Sequence, residues 1–145
     1  MTSSQTLPVL QAALVDLIDL TLLAKQAHWN VHGPHFRSVH LELDEVEVQL
    51  RDAQDLLAER MAAVGGNPDG RAATVLATSS VQDIGSGPLA ADKVVAQFAD
   101  RLAAVARGIE AKLTDLDEDL PSQDILIASI QNLDKAAWMF RAQEG

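Results

Sequence analysis

Residues 25–45, KQAHWNVHGPHFRSVHLELDE, contain all four histidines of the chain, His28, His32, His35 and His40, with carboxylates close behind. Imidazole and carboxylate together are donors for first-row transition ions. Cysteine is absent, which excludes thiolate metal sites and disulfides. Asp44, Asp55 and Glu59 extend the donor set downstream. On a helix beginning after Gly33-Pro34, Asp44 falls about 40° round from His40, Asp55 about 60° and Glu59 about 100°. All four share one face. Val48, Arg51, Ala58 and Ala62 lie on it too, so the face is mixed rather than a plainly solvated stripe.

Distance along the axis adds a constraint. His40/Asp44 and Asp55/Glu59 are two i,i+4 pairs, and Asp44 lies about 16 Å from Asp55 at the helical rise. Metal–ligand bonds are about 2 Å, so one ion cannot join the two pairs within one helix. Either each pair meets ligands from other helices of its own bundle, or two copies of the helix run antiparallel. A two-fold axis would then give two identical centres, about 22 Å apart along the helix. His28, near the end of the preceding helix, could complete the nitrogen-bearing half. Spacing leaves both arrangements open. It also leaves a plainer reading, in which histidines near a helix end cap carbonyls or pair with acids, and Asp and Glu face water. His32 and His35, beside the glycine-proline turn, read as loop and cap residues. As a metal set, imidazole with carboxylate suits iron, with zinc and manganese as competitors.

The elements that must position these residues are helical. Leu10, Leu14, Leu17, Leu20/Thr21, Ala24 and His28 repeat at three- and four-residue steps, which predicts a helix over 9–31 with Pro8 at its entry. Gly33-Pro34 ends it. A second helix is expected over 36–64, stopping at Gly65-Gly66. Residues 67–88 are rich in Pro, Gly and Ser, with AATVLA as a short helix among them. Third and fourth helices are expected over 90–116 and 122–143, the last opening at Pro121-Ser122-Gln123-Asp124 with no obvious capping residue. No segment alternates as a strand would. The fold class that follows is all-α: a four-helix bundle of ferritin-like connectivity, with a short helix in the long connection between the second and third helices.

Composition agrees. The 145 residues suffice for one domain over 1–145, with a short polar tail of about residues 1–7, and not for two domains. With 3% aromatic residues, the core must be Leu, Ala, Val and Ile. The formal charge of −10 disfavours phosphate backbones and suits a protein that handles cations. No apolar run reads as a membrane span, and no basic stretch precedes the first apolar segment. A cytoplasmic protein without a secretory signal is the expectation.

The motifs also carry a likeness. KQAHWNVHGPHF resembles the Lys-x-x-His-Trp-Asn-Val-x-Gly-x-x-Phe signature of the Dps family, the ferritin-like mini-ferritins known as DNA-binding proteins from starved cells. HLELDE is similar to that family's His-x-x-x-Asp step, DLLAER to its Asp-x-x-x-Glu-Arg, and SQDILIASIQNLDKAAWMFRAQ to its final helix. The likeness covers nearly the whole chain. It implies a homo-oligomeric shell of twelve subunits that oxidises Fe(II) to Fe(III), preferably with hydrogen peroxide, stores ferric mineral and protects DNA from oxidative damage. It implies His28, His40 and Asp44 as ligands from one chain and Asp55 and Glu59 as ligands from its two-fold neighbour, the same residues being catalytic. Zinc could occupy the same donors. Trp29, next to His28, is a candidate electron donor, although packing is the more ordinary role for it and for Trp138.

In that family the joint before the last helix lines acidic pores at a three-fold axis. Here the joint is TDLDEDLPSQD, and Asp115 and Asp124 fit pore positions, with Asp119 as a further carboxylate. DNA-binding members carry lysine-rich tails. The first basic residue here is Lys25, so DNA binding through tails should be weak or absent. The competing function is a nucleoid-associated, DNA-binding architectural protein whose metal site is secondary.

Overall fold

A computed structural model describes residues 5–144; most of the polar tail, residues 1–4, and residue 145 lie outside it. Four long helices form the bundle: α1 (Thr6–Asn30), α2 (Phe36–Ala63), α4 (Ala91–Glu110) and α5 (Leu120–Arg141). The short α3 (Ala72–Thr78) sits in the connection between α2 and α4, as expected, and packs on α1. Helix α1 packs chiefly against α2, and α4 against α5. Leu10, Leu17 and Leu20 of α1 meet Leu43 and Leu57 of α2, Phe98 and Leu102 of α4, and Leu126 and Phe140 of α5 in one buried core. Phe98 and Phe140 touch, their rings 5.7 Å apart.

The α1–α2 turn follows from its residues. Gly33 has φ 98°, a left-handed conformation that glycine adopts without strain. His35 follows at φ 67° as the residue before α2. At the other end of α2, a Cβ on Gly66 would fall 2.5 Å from Leu7 Cδ2, so the chain turns here in close contact with the Leu7 side chain of α1. The two residues after α1, β1 (Val31–His32), pair in parallel with β2 (Leu89–Ala90), just before α4. This bridge fixes the start of α4 beside the end of α1. The connection therefore returns the chain along the bundle, and α2 and α4 run in the same direction.

Three expectations need correction. The third helix stops at Glu110 rather than near 116; Leu113–Leu116 tighten into a 3-10 turn. The fourth begins at Leu120, capped by Asp119, whose carboxylate accepts from the Ser122 amide. And α1 does contain an 18-residue window of mean hydropathy 1.8, long and apolar enough to cross a membrane. Because 56% of that window is buried inside the bundle, its apolarity is accounted for by the core it fills.

Candidate metal centre

The last turns of α1 lie antiparallel to the first turns of α2, so Lys-x-x-His faces His-x-x-x-Asp across the helix pair. His28 Nδ1 is 2.7 Å from the His40 carbonyl oxygen, and His40 Nδ1 is 2.7 Å from the His28 carbonyl oxygen. A carbonyl only accepts, so each Nδ1 must carry the hydrogen and donate. In the neutral ring the lone pair is then on Nε2, the tautomer a metal ligand needs. Neither Nε2 has a hydrogen-bond partner among the described residues. The imidazoles stack with centroids 3.7 Å apart and planes 10° from parallel, and Phe36 stacks on the far side of His40 at 5.0 Å. The His28 carbonyl lies in the last turn of α1, where the helix's own ladder runs out. His40 thus caps α1 with one nitrogen and keeps the other for a ligand.

One turn further along α2, Asp44 Oδ1 accepts from Lys25 Nζ at 2.5 Å. Hydrogen bonding to the Lys25 ammonium holds the Asp44 carboxyl below the usual carboxylate range, against an opposing push from partial burial. The two side chains are 31% and 46% exposed, so the pair is reachable from solvent. Asp55 and Glu59 are exposed on the same helix, and Asp55 opens onto a cleft of about 540 Å³ shared with Ile18, Arg51, Gln54 and Ala58. Arg51 is bound by Glu47, which is buried. Among the described residues, no three His, Asp or Glu side chains are grouped so as to hold a metal ion. A single chain therefore brings together His28 and His40, with Asp44 beside them tied to Lys25, and leaves Asp55 and Glu59 apart.

Other residues singled out in the sequence fall as follows. His32, in β1, and His35, in the turn before α2, are both exposed. Packing within the chain does not account for either tryptophan: Trp29 is 69% exposed and Trp138 54%, each on the outer face of its helix. Asp115 and Asp124 are exposed at the acidic joint. Asp119 is not available there. It is 3% exposed, with both oxygens engaged by Ser122 and one also by Arg60 Nη2 at 3.0 Å. Burial alone would push its carboxyl up, but the Ser122 and Arg60 bonds together outweigh that and hold it below the usual range. Sequence reading passed over Lys25 and Arg60. Lys25 had a usable signal, since antiparallel packing of residues 28 and 40 puts residue 25 opposite residue 44.

Comparison with known proteins agrees with this fold. Residues 8–144 match the ferritin family, described as a ferritin-like domain. A DNA protection during starvation protein from Agrobacterium fabrum (strain C58) is 33% identical over 141 residues, 96% of this chain and 87% of that protein. Among solved structures, Dps92 from Deinococcus radiodurans matches with a TM-score of 0.92 at 31% identity, over 95% of this chain and 84% of that one. A C-terminal deletion mutant of Mycobacterium smegmatis Dps matches at 0.91 and 31%, over 97% and 98%. Fold, motifs and relatives converge, and the chain belongs to the Dps family of ferritin-like mini-ferritins.

Proposed function

We propose that this chain is the subunit of a cytoplasmic ferroxidase and iron-storage shell, with ferrous iron as its substrate. Hydrogen peroxide is the preferred oxidant. Each ferrous ion gives one electron, and peroxide accepts two as its O–O bond breaks and two protons complete two waters. The ferric product is stored as mineral inside a closed shell of twelve copies. Removing ferrous iron and peroxide together suppresses hydroxyl radicals, and so protects DNA.

One observation carries this reading: the reciprocal Nδ1 bonds of His28 and His40, which fix both rings and leave both Nε2 lone pairs for an ion. Ligands held by their other nitrogen need no reorientation when the ion arrives. His28, His40 and Asp44 of one copy form one half of the centre, and Asp55 and Glu59 of a second copy form the other. Their separation along one unbroken α2 supports division between two copies. Zinc competes for the same donors without turning over. Trp29, exposed and next to His28 in sequence, gives an electron to a stray oxidising equivalent in this reading. Three copies of Asp115 and Asp124 form an acidic entry for the cation.

Mixed shells test the division. His40→Ala and Glu59→Ala should each abolish rapid peroxide-driven ferrous oxidation while leaving the shell assembled. A dimer with one copy of each variant has one centre carrying both lesions and one carrying neither, so co-assembled shells should regain part of the activity. No recovery in shells shown by mass spectrometry to be mixed would defeat the shared centre.

A further inference from the structure

Of the acids on α2 only Glu47 is buried, its side chain 5% exposed. Both donors that reach it, Arg51 Nε at 3.0 Å and Arg51 Nη2, go to the same oxygen, Oε1. Among the described residues nothing donates to Glu47 Oε2, and Arg51 Nη1 has no acceptor. A buried carboxylate with an idle oxygen is costly, because its desolvation is only half compensated. The guanidinium beside it is 69% exposed, with donors to spare. Both members of this pair are therefore unfinished within one chain.

What finishes them follows from the shared centre proposed above, on which this inference rests. Setting His40 opposite Glu59, and Asp44 opposite Asp55 of a second copy, puts the two-fold axis between residues 49 and 50 of α2. The same register sets Val48 opposite Arg51, and all six residues fall within about 100° of one another round the helix. Val48 is 53% exposed, an apolar surface that the aliphatic stem of an arginine from the second copy would cover. The Cα of that arginine would stand about 1.5 Å along the axis from Glu47, against about 6 Å for the arginine of its own chain.

We propose that the Glu47–Arg51 pairs of two copies interlock across the two-fold axis, each Arg51 donating to the idle Glu47 Oε2 of the other. The four charges sum to zero, and the cluster fixes the register of the two α2 helices. A slip of one turn would leave each carboxylate half satisfied again and draw the two halves of the centre apart.

Neutral variants test the interlock without any metal. Glu47→Gln keeps only the arginine, and Arg51→Gln keeps only the carboxylate. A dimer with one of each joins the two charges across the axis, which neither homodimer can do. Metal-free, full-length chains, one of them labelled with heavy nitrogen, are refolded together in equal amounts. Dimers released from the shells are then counted by native mass spectrometry. Heterodimers should outnumber homodimers by at least about tenfold, and mixed shells should melt above either parent. If Arg51→Gln, which strands a buried carboxylate, does not assemble alone, its recovery in shells only alongside Glu47→Gln is the same result. Equal numbers of hetero- and homodimers, with mixed shells melting between the parents, overturn the proposal, as does an Arg51→Gln chain that stays unfolded in the mixture. Failure of the shared centre looks different: the His40→Ala and Glu59→Ala mixture would then regain no oxidation, whereas an error in the interlock alone leaves that recovery intact.

Discussion

His40 carries two tasks on two atoms, and substitutions can separate them. Asparagine can present a side-chain N–H where Nδ1 donates to the His28 carbonyl, but it has nothing at the position of Nε2. His40→Asn should therefore stay within about 0.5 kcal/mol of wild type in chemical denaturation, whereas His40→Ala, which loses the bond, should drop by about 1 kcal/mol. Rapid ferrous oxidation should vanish in both. An asparagine variant that still oxidised iron quickly would mean that Nε2 of His40 is no ligand. The same residue shows what could be read in advance. Residue types and helical phase marked His28 and His40, yet capping and metal ligation stood as rivals, because a sequence does not display which nitrogen faces which group. The structure makes them compatible. The Lys25–Asp44 pair depends on the register between two helices, which no single-helix periodicity reports; only facing residue 28 with residue 40 would have suggested it.

At the scale of elements, long helices were legible because their apolar steps are regular and Gly-Pro or Gly-Gly punctuates the joints. The α4–α5 joint has no such mark. Residues 111–119 contain neither glycine nor proline, so the periodic reading ran on to 116, where the chain in fact tightens into a 3-10 turn. The two-residue bridge of β1 and β2 is too short to have a period at all. Asp119 was read as a pore acid for its company of carboxylates, but its place just before a helix with proline near the N-terminus makes it a cap. Arg60 of α2 bonds both Asp119 and Ser122, fastening the joint to the helix that carries Glu59. Removing the carboxylate strands a guanidinium and an orphan amide together. Asp119→Ala should thus cost roughly 3 kcal/mol in denaturant unfolding at fixed protein concentration, and a loss within error of zero would show that the joint is held elsewhere. The pH dependence has a definite sign. A carboxyl whose folded pKa is depressed contributes its full stability above its unfolded pKa of about 4, and loses it as pH falls through the folded value. Wild type should therefore lose more stability than Asp119→Ala on acidification below about pH 4.

At the scale of the whole molecule, exposed apolar side chains such as Leu22, Trp29 and Leu56 belong to helices that also carry the candidate ligands, as expected of a subunit with neighbours to meet. Periodicity could not separate these from core residues, since both recur at helical spacing. Charge was legible in total but not in arrangement. The formal value is −10, and of the eleven Lys and Arg, six are held in ion pairs: Lys25, Arg51, Arg60, Arg71, Arg101 and Arg107. The other five, Arg37, Lys93, Lys112, Lys135 and Arg141, are spread over α2, α4, α5 and the joint. Duplex DNA is held largely by cations that replace its condensed counterions, and each such contact steepens the salt dependence. Scattered cations on a strongly acidic surface supply few contacts at once, and beyond about 8 Å at physiological salt the surrounding carboxylates are screened but not reversed. Shells of this chain, confirmed by light scattering at twelve times the 15.5 kDa chain mass, roughly 186 kDa, should not retard duplex DNA at micromolar concentration in about 0.15 M salt without divalent cations. Under those conditions they should still suppress peroxide-driven nicking of plasmid DNA by ferrous iron, because protection through iron consumption needs no contact with the helix. Retardation that fell steeply with added salt would instead reveal a basic surface created by assembly, and protection that vanished whenever retardation did would make DNA coating, rather than iron oxidation, the protective act.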